Sequence, residues 1–244
     1  LLSQSPHKGR RYLNAQWCWA LGHIGLLYML TRWFRKFEPE TKLVLETGGG
    51  SANEYFLSCL KPFVEIHERF PTEYQSELID NAVYFACPDG KHSIHNFYKM
   101  VERECADIPK LELTTEQIAE AVRVMDRLHL PARPFVAIQA RHMSHDPRRN
   151  VTTEQIEVAL SPWKSKGYDV VSVGLDCHPI DSKYPTVQSC PNPWLASFLL
   201  SASCDHYIGS NSGAWTIAHA FGRSVELIND TEKLAWIYPQ EVEE

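Results

Sequence analysis

The stretch Asp205-His206-Tyr207-Ile208-Gly209-Ser210-Asn211-Ser212-Gly213-Ala214-Trp215-Thr216-Ile217-Ala218-His219-Ala220-Phe221-Gly222 decides the fold. A short apolar run enters a polar Ser-Asn-Ser-Gly turn and an apolar helix follows. Gly222 stops that helix before a second strand, Ser224-Val225-Glu226-Leu227-Ile228. Strand, tight turn, helix and strand in this order form the repeating unit of a parallel α/β sheet. At such a junction free backbone N–H groups and the helix dipole face one crevice, which makes a seat for phosphate. Ser and Asn are also the preferred N-cap residues of any helix. Ser210, Asn211, Ser212 and Gly213 therefore read either as a phosphate seat or as plain capping.

Upstream, the same half opens on Phe135–Gln139 as a strand, followed by a polar loop from Arg141 to Asn150. Ligands in open α/β sheets bind beyond the carboxyl ends of strands. Arg141, just past such an end, can fork onto two phosphate oxygens. Arg148 and Arg149 concentrate further positive charge in that loop, although solvated pairing with surface carboxylates is the ordinary use of such residues. Thr152 with Gln155 caps the next helix, Gly167 ends it, and Asp169–Val173 is a strand. Trp194, Leu195, Phe198, Leu199 and Ala202 form an apolar helical face leading to the opening stretch.

The first half repeats the rhythm. Ala15–Leu21 reads as a buried strand and Gly22-His23-Ile24-Gly25 as the turn after it. A helix with Leu26, Leu27, Leu30, Trp33, Phe34 and Phe37 on one face follows. Lys42–Thr47 is the second strand, Gly48-Gly49-Gly50-Ser51 its loop, and a short helix carries Ala52, Tyr55, Phe56, Cys59 and Leu60. Phe63–His67 and Ala82–Ala86 are further strands. Asp107-Ile108-Pro109-Lys110 is a linker, after which Thr114 and Gln117 cap a helix to about Leu128. The expected fold is α/β: two Rossmann-like domains, 1–110 and 111–244, with a single doubly wound sheet as the alternative.

Composition narrows the partners. The chain has 244 residues, 44% hydrophobic and 22% charged, and a net charge of −6. The acidic balance argues against nucleic acid. Seven scattered cysteines without a Cys-x-x-Cys argue against a zinc cluster or disulfide framework and for a reducing, cytoplasmic setting. Residues 12–30 are rich in apolar side chains, but Asn14, Gln16, Gly22, His23 and Gly25 interrupt them, so no membrane span is expected.

Candidate bases lie in the first half. His23, beside Gly22 at a strand end, is a candidate general base because imidazole is suited to proton transfer near neutral pH, with a backbone-satisfied histidine as the plain alternative. Glu46, Asp89 and His95 are other bases by position and chemistry. His92 with His95 and His142 with His145 each spell His-x-x-His, but on loops and without a fixed third ligand, so no metal site is assigned. There is no Asp-x-Asp, no phosphate-binding P-loop motif, no dinucleotide Gly-x-Gly-x-x-Gly and no Gly-x-Ser-x-Gly elbow.

The run Val136–Arg141, then Arg149-Asn150, Lys166–Gly174, Ile208–Gly213 and Ile228-Asn229 resembles the carboxyl-terminal half of GT-B glycosyltransferases. Within them it is similar to a little-characterised bacterial group, and more distantly to heptosyltransferases and fucosyltransferases. The resemblance implies two Rossmann-like domains facing across a cleft in a compact form. It implies a nucleotide-sugar donor on the carboxyl-terminal domain and an acceptor, a carbohydrate or glycoconjugate, on the amino-terminal one. Arg141 and Arg149, with Ser210, Asn211, Ser212 and Gly213, match the donor side. Gly22 and His23, with Asp89 and His95, fall on the acceptor side. The implied activity is metal-independent sugar transfer with the nucleotide sugar as co-substrate and no resident cofactor. A nucleotide-sugar epimerase or hydrolase, or a non-catalytic binding module, are the alternatives.

Overall fold

A computed structural model describes residues 9–70, 79–80, 94–130, 134–142, 150–175, 178–210 and 212–228. The chain divides into two compact units, Leu1–Pro109 and Lys110–Glu244, and each holds one parallel four-stranded sheet.

In the first unit the sheet begins earlier than the apolar run suggests. β1 is Arg10–Leu13 and pairs in parallel with β2, Lys42–Glu46. Ala15–Leu21 is not a strand. The Asn14 side chain accepts a hydrogen bond from the Gln16 amide and starts a single 3-10 turn over Ala15–Trp17. Trp17 and Cys18 are buried by that turn, whereas Trp19 is 67% exposed. The apolar side chains here anchor a loop, which explains the misreading. Gly22-His23-Ile24-Gly25 is likewise not a turn: it forms the start of helix α1, Leu21–Phe37.

Helix α1 buries a continuous block from Ile24 to Arg32. Helix α2, Glu54–Ser58, is capped by the Asn53 side chain, which accepts from the Phe56 amide. β3, Val64–His67, pairs with β2, and β4, Ile79–Asp80, pairs with β1. The strand order is β3-β2-β1-β4. Helix α3, Ile94–Glu104, packs on α1. The expected strand Ala82–Ala86 lies outside the described residues.

A charge is buried at the α1–α3 contact. Arg32 is fully buried; its Nη1 pairs with Glu102 and its Nη2 donates to the Cys105 carbonyl at 2.6 Å. A guanidinium removed from water is tolerable only with such partners. Burial likewise pushes the pKa of the neighbouring Tyr28 and Tyr98 hydroxyls well above the ordinary tyrosine range, so both stay neutral.

In the second unit α4, Thr115–Arg127, and α5, Thr153–Ser165, each begin with a full capping box, Thr114 with Gln117 and Thr152 with Gln155. β5, Phe135–Gln139, is flanked by β6, Asp169–Ser172, and β7, His206–Ser210; β8, Ser224–Ile228, completes the order β6-β5-β7-β8. Val136, Ile138, Ala140, Val170 and Ile208 pack with Ile156 and Leu160 of α5. Phe135, Ala137 and Tyr207, on the other pleat face, are equally buried, as a parallel sheet covered on both sides requires. Helix α6, Pro193–Ser203, packs on α4 and on α7, Trp215–Ala220. Gly222, at φ +72°, ends α7: its amide donates to the His219 carbonyl, and that of Arg223 to Ala218.

Arg32→Ala would leave Glu102 half-buried without its cation and the Cys105 carbonyl without its donor. A urea melt should show a loss of at least ~2 kcal/mol, with Glu102→Gln losing less because the bond to Cys105 survives.

Candidate functional site

In the order β6-β5-β7-β8 the chain leaves β5 toward one edge and returns across it to reach β7. The switch point lies between β5 and β7, and the ligands of open α/β sheets bind beyond the carboxyl ends of strands at such a point. Gln139, the last residue of β5, is in register with Gly209 of β7. Arg141 follows two residues after Gln139, and Ser210 is the last residue of β7. The structure therefore brings Arg141 and Ser210, with Ser212 and Gly213 after it, to the carboxyl ends of neighbouring strands about 4.8 Å apart. Arg141 is buried, at 7% exposure. Arg148, Arg149 and Asn211 lie outside the described residues.

Gln139 itself joins the two strand ends. The Ser212 hydroxyl donates to Gln139 Oε1 at 2.8 Å, with both side chains buried. Ser212 is therefore not the cap of α7. The N-cap is Ala214, and no side chain caps the helix. Ser210 Oγ is buried and has no hydrogen-bond partner among the described residues.

The helix start that reads as a phosphate seat or as plain capping offers few free groups among the described residues. Helix α7 has only six residues, too few for a large macrodipole, which is a sum over aligned peptide units. The amides of Ser212, Thr216 and Ile217 are already committed to the carbonyls of Ser210, Gly213 and Ala214. Those of Gly213 and Ala214 have no partner among the described residues. What remains after β7, among the described residues, is two amides and one buried hydroxyl without a partner, on the strand beside the one that leads to Arg141.

Gly209 allows the strands to meet as they do. A Cβ there would lie 2.8 Å from Cε1 of the fully buried Tyr207 ring and 3.1 Å from the Gln139 carbonyl oxygen. Behind the strand ends, Gln188 Nε2 donates to the Gly174 carbonyl at 3.2 Å and to Asp181 Oδ2 at 2.9 Å, while Ser172 Oγ donates to Asp181 Oδ1 at 2.5 Å. This polar cluster holds the chain after β6.

In the first unit the corresponding switch point lies between β1 and β4. His23, in the first turn of α1, places Nδ1 2.5 Å from the Gln16 carbonyl oxygen. A carbonyl only accepts, so the proton sits on Nδ1 and the lone pair on Nε2. Gly22 precedes it in the same helical turn. Asp89 lies outside the described residues. His95 is in the first turn of α3, not in a loop. The Cys18 thiol, near His23 in sequence, is pushed up to about 11 by burial and donates to the Ala15 carbonyl at 3.2 Å, which removes it as a nucleophile at neutral pH. Among the described residues no three His, Cys, Asp or Glu side chains group to hold a metal ion, and no helix is long and apolar enough to cross a membrane.

Gln139, Ser172, Asp181, Gln188 and Ala214 were not singled out by sequence reasoning. Gln139 carried a usable signal: it is a polar side chain ending a strand otherwise apolar on both faces.

No protein-family model matches the chain, and no curated protein matches it. Solved structures do share its fold. A family 9 glycosyl transferase from Veillonella parvula superposes with a TM-score of 0.57 at 12% identity, covering 91% of this chain and 80% of that one. The E. coli ADP-heptose lipopolysaccharide heptosyltransferase II gives 0.54 at 10%, covering 89% and 83%. TibC, an iron-containing dodecameric heptosyltransferase solved with ADP-D-β-D-heptose, gives 0.55 at 14%. The match covers 91% of this chain but only 58% of TibC, so this chain spans less than two thirds of that protein. The fold is that of these glycosyltransferases, an α/β fold with parallel sheets, as the sequence resemblance implies.

Gly209→Ala should destabilise the second unit by about 1–3 kcal/mol through overpacking and shift the amide resonances of Gln139 and Ser212. Both effects are read from a denaturant melt and a two-dimensional NMR spectrum.

Proposed function

We propose that this chain transfers a sugar from a nucleotide-sugar donor to an acceptor hydroxyl, without a metal ion, in the manner of a compact GT-B enzyme. The observation that carries the reading is the switch point between β5 and β7. There Arg141 follows β5 and Ser210 ends β7 on adjacent strands, tied by the Ser212–Gln139 hydrogen bond. A diphosphate leaving group needs such a sink of cationic and amide character. The heptosyltransferase fold supports the reading further, and the TibC structure holds a nucleotide sugar.

In the proposed reaction Nε2 of His23 takes the proton of the acceptor hydroxyl. The acceptor oxygen bonds to the anomeric carbon while the bond from that carbon to the donor phosphate breaks. Negative charge collects on the departing nucleoside diphosphate and is met by the Arg141 guanidinium, the Gly213 and Ala214 amides and Ser210 Oγ. Stabilisation of this kind acts on charge that grows toward the transition state. Arg149 and Asn211 extend the donor side, and Asp89 and His95 the acceptor side, of the proposed site. The two Rossmann-like units face one substrate pair across a cleft in this reading, with a carbohydrate or glycoconjugate as acceptor.

A thermal-shift panel of nucleotide sugars tests donor binding directly. A donor at about a hundred times its Kd should stabilise the wild type by ~2.7 kcal/mol. Arg141→Lys keeps the charge but loses the fork and should abolish most of that shift. His23→Gln should lower kcat about 10²–10⁴-fold while leaving the donor-induced shift intact. Wild-type turnover in His23→Gln would remove its assigned role, and an unaltered shift in Arg141→Lys would do the same for Arg141.

A further inference from the structure

A cavity of about 470 Å³ lies in the first unit, at the sheet edge opposite to the one carrying His23. It is lined by the last turns of α1 (Phe34, Arg35), the start of β2 (Lys42), the loop before β3 (Lys61, Phe63) and Glu65. His23 and Arg35 sit twelve residues apart on one helix, so the two places are separated by about 18 Å. Its volume falls in the ordinary range of small-molecule sites, about 300–1,000 Å³.

The charges around it are distributed unevenly. Arg32 and Lys36, on the same helix, are both paired, with Glu102 and with Asp107 at 2.6 Å. Arg35, Lys42 and Lys61, the three cations that line the cavity, have no ion pair among the described residues. Among the described residues the lining holds one acid, Glu65, whose Oε1 bonds His67 at 2.7 Å. The helix dipole favours Arg35 in the last turn of α1, but it does not account for Lys42 on a strand or Lys61 in a loop. Arg35 is also held in place: its guanidinium lies 4.5 Å from the centroid of the Phe63 ring, a cation–π contact that reduces its rotational freedom. Three like charges around one concavity repel each other and focus a positive potential into it, and an anion entering there relieves the repulsion. Phe34 and Phe63 supply an apolar wall beside the charges.

We propose that this cavity binds a phosphate group, through Arg35, Lys42 and Lys61, at a site separate from the transferase edge. The phosphate could be carried by a soluble phosphomonoester or by a phospholipid headgroup, and the experiment separates the two. The full chain is titrated with glycerol phosphate while amide resonances are followed by NMR, with sodium chloride at matched ionic strength as the control. Binding to phosphatidylcholine vesicles is measured with and without phosphatidic acid, and with glycerol phosphate as competitor. Saturable shifts at Arg35, Lys42 and Lys61 are expected. The exposed-site double variant Lys42→Ala/Lys61→Ala should weaken binding at least about tenfold, while Lys36→Ala leaves it unchanged. Vesicle capture that glycerol phosphate does not displace assigns the headgroup; binding and displacement by glycerol phosphate assign the soluble ester. Shifts reproduced by sodium chloride, or a double variant that binds as tightly as the wild type, would overturn the proposal. A donor-induced thermal shift intact in the same double variant keeps this test independent of the transferase reading.

Discussion

The pairing of β5 with β7 at the register Gln139↔Gly209 is the constraint on which the candidate donor site depends. Two strands distant in sequence are brought side by side because both are apolar on both faces and must be covered from both sides. At their carboxyl ends this packing leaves polar groups that no strand partner can use. Gln139 and Ser212 satisfy each other; Ser210 Oγ and the Gly213 and Ala214 amides have no such partner among the described residues. The side chain missing at Gly209 lets the Tyr207 ring and the Gln139 carbonyl approach closely enough for the register to hold.

The second unit was largely legible in the sequence. Both capping boxes, the strand Phe135–Gln139 and the strand Ser224–Ile228 occur where the pattern places them, because there local propensity and burial ask for the same structure. The first unit was less legible. Trp17 and Cys18 are as apolar as strand residues, yet Asn14 captures the Gln16 amide and turns the chain before a strand can form. The true strand, Arg10–Leu13, begins with two arginines and shows only Tyr12 and Leu13 to the core, too short a signal for periodicity to detect. Gly22 and Gly25 read as turn residues, but the apolar block from Ile24 onward draws both into α1, so tertiary burial outweighs their weak helix propensity.

The site was legible as positions rather than as chemistry. Arg141 and Ser210–Gly213 could be placed at strand ends from the pattern alone. Their adjacency depends on strand order, which no local pattern encodes. The way the loop presents amides also depended on a tertiary partner: Ser212 turns toward Gln139 and away from the helix start, so the expected capping role is absent. In the first unit, His23 Nδ1 meets the Gln16 carbonyl, a contact made possible by the 3-10 turn that stands where the sequence reads as a strand.

The central claim is that the edge between β5 and β7 receives a diphosphate. Amide hydrogen exchange with and without a nucleoside diphosphate tests it most directly. The account predicts slowed exchange at the end of β5 through Arg141 and over Ser210–Trp215, and the same protection in the Lys42→Ala/Lys61→Ala variant. No protection at that edge under saturating ligand, or its loss in that variant, would contradict it.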